Sequence, residues 1–254
     1  MVEAHGLSDP GPVRKSNQDR FISDPELRLF VVADGMGGHS AGEVASGLAV
    51  ETIAGFIRRT EEDAEFSWPY GIEPGLSFSG NRLRTAVHLA NRRVFRAAER
   101  YDEYTGMGTT VVGALISGTR LAVANAGDSR LYVFANGRLS QLTRDDTWAA
   151  TVLAAQRGKN PVPPPPDSMR RVLTNVVGAR EEADVRLSEH ELTGGELILL
   201  CSDGLHGALQ DSALEKVLGA GGPPSEIVPR LIQAALAAGA RDNVTAVLAR
   251  YDGV

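Results

Sequence analysis

Apolar positions along this chain follow two rhythms. Short β-branched runs give way to polar turns, and longer stretches repeat every three to four residues. Leu27-Arg28-Leu29-Phe30-Val31-Val32-Ala33 is of the first kind and runs into Asp34-Gly35-Met36-Gly37-Gly38, so the pattern predicts a buried strand over 27–33 that ends in a glycine-rich turn. Ser40-Ala41-Gly42-Glu43 has the spacing of a capping box and predicts a helix over 41–59, with Val44, Leu48, Ile53 and Ile57 among its apolar positions. Residues 60–80 carry Trp68, Pro69 and Pro74 without a period and read as an irregular connection. Leu83, Val87, Ala90, Val94 and Ala97 then mark a second amphipathic helix over 81–100.

Strands follow at 109–116, 120–125 and 130–134. The Asn136-Gly137 pair predicts a hairpin whose returning strand covers 138–142. A helical piece at 148–157 precedes Pro161-Val162-Pro163-Pro164-Pro165-Pro166, which suits neither helix nor central strand, and residues 144–180 read as a surface excursion. Strands at 185–187 and 196–201, a helix at 225–238 and a closing strand at 244–250 complete the pattern. Helices segregated from a largely antiparallel set of strands predict an α+β fold with helices layered over sheet.

The chain has 254 residues, no internal repeat and no linker separating two cores, so one catalytic-sized domain over 1–254 is expected. Its 26 basic and 32 acidic residues give a net charge of -6 without a basic stripe, which disfavours nucleic acid as a partner. The longest aliphatic runs, such as 197–200, fall far short of the roughly 20 apolar residues of a spanning helix. The start lacks the basic and apolar regions of a secretory signal, and the single cysteine, Cys201, suits a reducing compartment. A cytoplasmic protein without a membrane partner is expected.

Five aspartates fall where strands should end in tight turns: Asp19, Asp34, Asp128, Asp203 and Asp242. Asp-Gly is also an ordinary turn dipeptide, which accounts for any one of them alone. The combination is harder to explain by turns, because Asp34 and Asp203 each close an apolar strand and each precede a glycine. Carboxylates that converge repel one another unless a cation neutralises them. With no cysteine or histidine pair at zinc spacing, an all-oxygen ligand set favours Mg²⁺ or Mn²⁺.

Taken in order, Arg14-x-x-Asn17-Gln18-Asp19, Ala33-Asp34-Gly35-Met36-Gly37-Gly38-His39, Gly108-Thr109-Thr110, Asn125-Ala126-Gly127-Asp128-Ser129-Arg130, Ser202-Asp203-Gly204-Leu205 and Arg241-Asp242-Asn243-Val244-Thr245 resemble the bacterial branch of the metal-dependent serine/threonine protein phosphatases, type 2C. The resemblance covers nearly the whole chain. It implies two antiparallel sheets flanked by helices, an αββα sandwich, with a dinuclear Mn²⁺/Mg²⁺ site at one edge. By the same resemblance Asp34 bridges both metals, Asp203 and Asp242 hold one, and the Gly35 carbonyl helps hold the other. Asp19 sits beside or just behind them, and Asp128 with Asp203 forms a weaker third site. Arg14 grips phosphate oxygens through paired donors, and His39 is the candidate acid that protonates the leaving alkoxide. Phosphoserine and phosphothreonine proteins are the implied substrates, a Hanks-type kinase the implied opposing partner, and a monomer the implied state.

The chain departs from the family pattern in two places. Gln18 stands where many animal members carry a glutamate, which removes a negative charge from the site. Asp145-Asp146-Thr147 stands where the family usually shows Asp-His-Ser before its flap. Cys201 lacks an arginine six positions on, where Gly207 stands, so it reads as a buried strand residue and not a nucleophile. His206 is expected at the rim, while His5, His88 and His190 have no constellation around them. Two alternatives stay open at this level: a non-catalytic phosphoprotein-binding relative and a hydrolase of small phosphate esters.

Overall fold

The structure is a computed structural model that describes residues 1–38, 40–62, 66–155, 169 and 172–253. Two antiparallel sheets stack face to face. One has the order β1(Val2–Asp9), β11(Val244–Tyr251), β10(Glu196–Cys201), β7(Arg130–Ala135), β8(Arg138–Gln141). The other runs β2(Asp19–Asp24), β3(Leu29–Met36), β5(Val111–Ser117), β6(Arg120–Ala126), β9(Arg186–Glu191), with the two-residue β4(Gly108–Thr109) paired to the end of β3. Helices α1(Ala41–Glu62) and α2(Phe78–Arg100) cover the second sheet. The first sheet is covered by α4(Asp203–His206), α5(Asp211–Gly219) and α6(Pro224–Ala237), and α3(Trp148–Ala155) follows β8.

This layering explains why the central strands are apolar throughout. Successive strand residues point to opposite faces, and here both faces are covered. In β3, Leu29, Val31 and Ala33 pack under α1 and α2, whereas Phe30 and Val32 enter the seam between the sheets. In β10, Leu199 and Cys201 face the helices, and Ile198 and Leu200 face the seam. In β11, Ala246 and Leu248 face the helices, and Val247 and Ala249 face the seam. Continuing the parity one step brings Asp34, Ser202 and Thr245 to one end of that seam, where its apolar filling stops.

The sandwich agrees with the expected fold class, and strand 196–201 and the hairpin at Asn136-Gly137 match closely. Both hairpin residues take the left-handed conformation, with φ of 52° and 75°. Helix α1 runs three residues beyond the predicted 41–59, and α2 starts at Phe78, capped by the Ser77 hydroxyl. Glu43 pairs with Arg20 on β2. Other readings need correction. β3 does not stop at Ala33: it continues through Met36, because Asp34 pairs with Asp19 on one side and Gly35 and Met36 pair with β4 on the other. β1, β2 and α5 were not visible in the pattern.

Nor is 144–180 wholly a surface excursion. Asp146, Thr147, Val176 and Val177 are buried, the bridge Thr147↔Leu173 joins the two limbs, and Thr109↔Val177 ties the returning limb to β4. The proline run lies outside the described residues.

Gly178 shows how tightly the returning limb is seated. Its φ is +92°, and a Cβ there would lie 2.2 Å from Val94 Cγ1 on α2. Gly178→Ala combines left-handed strain with overpacking, together about 2–5 kcal/mol. It should lower the melting temperature by about 5–15 °C, and a melt within 1–2 °C of wild type would contradict this seating.

Candidate metal centre

At the polar end of the seam, Asp34, Asp128, Asp203 and Asp242 line a cleft of about 160 Å³ together with Arg14, Gln18, Gly35 and Leu173. A second cavity of about 430 Å³ continues from Asp203 and Asp242 along Gly204, Gly207 and the 238–241 loop. Four of the five sequence-predicted aspartates therefore meet. They arrive from the ends of β3, β6 and β10 and from two residues before β11.

Each is held by its local backbone. The Asp34 amide donates to Thr110 Oγ1 (3.0 Å), and the Asp34 carbonyl accepts from the Thr110 amide (2.8 Å) and Thr109 Oγ1 (2.9 Å). Thr110 Oγ1 in turn lies 2.7 Å from Ser129 Oγ, beside Asp128. Gly35 has no room for a side chain: a Cβ would lie 2.0 Å from the Gly42 carbonyl oxygen at the start of α1. That contact explains the Asp-Gly pair here better than a turn does. Gly204 after Asp203 is similar, with the Asn243 carbonyl oxygen 2.0 Å from its would-be Cβ. Asn243 is a buried staple: its side chain accepts from the Gln18 amide (2.9 Å) and donates to the carbonyls of Pro10 (2.8 Å) and Ser16 (3.0 Å). It thereby holds the loop that carries Arg14 and Gln18 against the cleft.

Asp19 does not line the cleft. It lies behind it, 1% exposed, with Oδ2 accepting from Ser202 Oγ (2.8 Å) and Thr245 Oγ1 (2.6 Å). Its buried Oδ1 has no hydrogen-bond partner among the described residues. His206 reaches the Asp128 carbonyl through Nε2 at 3.0 Å, so it steadies the Asp128 turn. Arg14, half-exposed, is ion-paired with Asp242 at 2.6 Å. His39 lies outside the described residues. Cys201 is fully buried, and burial pushes its thiol up to about 12, which excludes it as a nucleophile.

The electrostatics are those of an uncompensated acidic site. Burial, then the charges of Asp19, Asp203, Asp128 and Asp242, hold the Asp34 carboxyl well above the usual carboxylate range. Burial likewise raises Asp128 to about 7, with Asp203 adding to it. Asp19 rises to about 6 through burial, offset in part by the Thr245 and Ser202 hydroxyls. Among the described residues no three acidic, histidine or cysteine side chains are already gathered into a ligand cluster. Asp242 is engaged with Arg14, and Asp19 with its two hydroxyls. The donors nonetheless fit hard cations: all are oxygens, one buried oxygen lacks a donor, and the charge that would draw them together is the charge such an ion brings.

The sign of this strain is measurable without metal. A raised carboxyl pKa means that the folded state binds the proton more tightly than the unfolded chain. Stability is then lost as pH climbs from about 4 through about 7. In chelator, Asp128→Asn should melt with wild type near pH 4 and increasingly above it, by a few degrees, toward pH 7. A constant difference across that range would contradict the assignment.

Residues 13–249 match the family described as Protein phosphatase 2C. The chain is 36% identical over 245 residues to the serine/threonine protein phosphatase PstP of Mycobacterium tuberculosis, covering 95% of this chain but 43% of that protein. It thus spans under half the length of PstP. It is 30% identical over 260 residues to the serine/threonine phosphatase stp of Listeria monocytogenes, covering 99% of this chain and 96% of that one. Among solved structures, M. tuberculosis PstP/Ppp superposes with a TM-score of 0.82 at 32% identity, over 99% of each chain. The catalytic domain of PstP in complex with two manganese ions superposes at 0.80 with 33% identity, over 98% of this chain and 97% of that one. Sequence, fold and cleft agree, and the chain belongs to the protein phosphatase 2C family.

Proposed function

We propose that this chain is a metal-dependent serine/threonine protein phosphatase that hydrolyses phosphoserine and phosphothreonine in proteins. The observation that carries the reading is the meeting of Asp34, Asp128, Asp203 and Asp242 with one arginine in a single cleft. Asp34, Asp203 and Asp242, with the Gly35 carbonyl, would hold two Mn²⁺ or Mg²⁺ ions, and Asp128 with Asp203 a third. When bound, such ions supply Lewis acidity toward phosphoryl oxygens and make water acidic enough to attack near neutral pH. Asp19 supports the pair from behind, fixed by Ser202 and Thr245.

Arg14 belongs at the phosphate. Its guanidinium is half-exposed at the mouth and engages Asp242 through Nη2. With the charge of Asp242 met by a cation, the planar donors of Arg14 are free to pair with phosphoryl oxygens. In the reaction a P–O bond forms to water as the P–O bond to the side-chain oxygen breaks, and the departing alkoxide takes a proton. His39 is proposed as its source. The same reading takes residues 1–254 as one catalytic domain, monomeric and cytoplasmic, acting on proteins phosphorylated by a Hanks-type kinase. No helix among the described residues is long and apolar enough to cross a membrane.

Release of phosphate from a phosphothreonine peptide in Mn²⁺, in Mg²⁺ and in chelator tests this reading. Wild type should release phosphate only with metal. Asp34→Ala and Asp203→Asn should each lose at least about 100-fold, the scale of losing a directly acting electrostatic group. Near wild-type rates for either variant in saturating Mn²⁺ would refute the site, and metal-independent inactivity of wild type would favour a phosphoprotein-binding role. His39→Ala should cost more on an alkyl than on an aryl phosphate, because an aryl oxide leaves with little protonation. Equal losses would remove it as the acid.

A further inference from the structure

Asp146 is not among the cleft residues, yet it is 1% exposed and its carboxylate joins three separate pieces of chain. Oδ1 accepts from Arg186 Nε (2.9 Å) and Nη2 (2.6 Å) on β9. Oδ2 accepts from the Gly127 amide (3.2 Å) and from Asn175 Nδ2 (2.7 Å). The backbone repeats the pattern. The Asp146 amide donates to the Gly127 carbonyl (2.9 Å), and its carbonyl accepts from the Thr174 amide (2.8 Å) and Thr174 Oγ1 (3.0 Å).

Both targets border the acidic cleft. Gly127, at φ +104°, is the residue before Asp128. Thr174 and Asn175 directly follow Leu173, which lines the cleft and bridges to Thr147. The neighbouring Asp145 works in parallel, accepting from Arg130 Nε (3.0 Å) and Nη2 (2.8 Å) two residues beyond Asp128. A buried ion pair adds little stability over apolar packing of the same volume. It does fix direction, because Oδ1 is claimed by Arg186 on β9 and Oδ2 by Gly127 and Asn175 from two other segments.

We infer that Asp146 is a positioning residue of the cleft: through Gly127, Asn175 and Arg186 it fixes the Asp128 turn against the Leu173 segment and so sets Asp128 for cation binding. This rests on the metal-dependent reading of the cleft. It concerns a position at which the chain departs from its family pattern, and it assigns that departure a task.

Mn²⁺ titration calorimetry on the full chain tests it, using Asp146→Asn, which keeps the shape but not the charge. Arg186→Gln serves as a second variant, since that arginine is 39% exposed and its replacement should leave the fold intact. Each variant should weaken the Mn²⁺ binding that Asp128→Asn also weakens, by about tenfold, the scale of losing a residue that orients a ligand. Combined with Asp128→Asn, Arg186→Gln should have no further effect. Unchanged Mn²⁺ affinity in Arg186→Gln, an equal loss with and without Asp128, or no effect of Asp128→Asn itself would each overturn the inference. If the coupling holds but wild type releases no phosphate from a phosphothreonine peptide, the inference stands and the phosphatase reading falls.

Discussion

Repulsion among carboxylates crowded at one end of a β-sandwich is the constraint on which this structure turns. Asp34, Asp128, Asp203 and Asp242 share a cleft of about 160 Å³, with Asp19 buried behind them. Burial, reinforced by the neighbouring like charges, favours the protonated forms, which is why Asp34, Asp128 and Asp19 all shift upward. Such a site costs stability unless a cation is present, and a fold that keeps it does so for the chemistry. Arg14 meets only part of the charge, through Asp242.

The scaffold answers this cost with rigidity. Strands covered on both faces anchor the aspartates in three apolar layers, and the acidic residues begin where the seam between sheets runs out of apolar filling. Around them sits a set of hydroxyls and amides whose hydrogen bonds leave each loop little freedom: Thr110 on Asp34, Ser202 and Thr245 on Asp19, and Asn243 on the Arg14 loop. Asp146 extends the same principle outward, binding the Asp128 turn to the 173–175 segment.

Much of this was legible in the sequence, for identifiable reasons. β10, β11 and the Asn136-Gly137 hairpin carry strong local signals, an unbroken apolar run or a turn that only certain residues favour. Asp34 and Asp203 were legible because each follows an apolar run and precedes a glycine, and Asp19, Asp128 and Asp242 because they fall in ordered motifs that resemble the family. β1 was not, since Val2–Asp9 is an edge strand of mixed polarity whose order comes from pairing with β11 at the far end of the chain. The supporting layer was also invisible. Asp19 meets Ser202 and Thr245 across 183 and 226 residues, and nothing local marks a hydroxyl for that task. Asp146 showed only as a departure from a family pattern, and its partners Gly127, Asn175 and Arg186 are separated from it by 19, 29 and 40 residues.

The most direct test of the central claim is a crystal structure with Mn²⁺ and anomalous data collected at the manganese edge. The account predicts anomalous peaks between Asp34, Gly35, Asp203 and Asp242, with Arg14 released from Asp242. A cleft without anomalous density at saturating Mn²⁺, with the Arg14–Asp242 pair still intact, would contradict it.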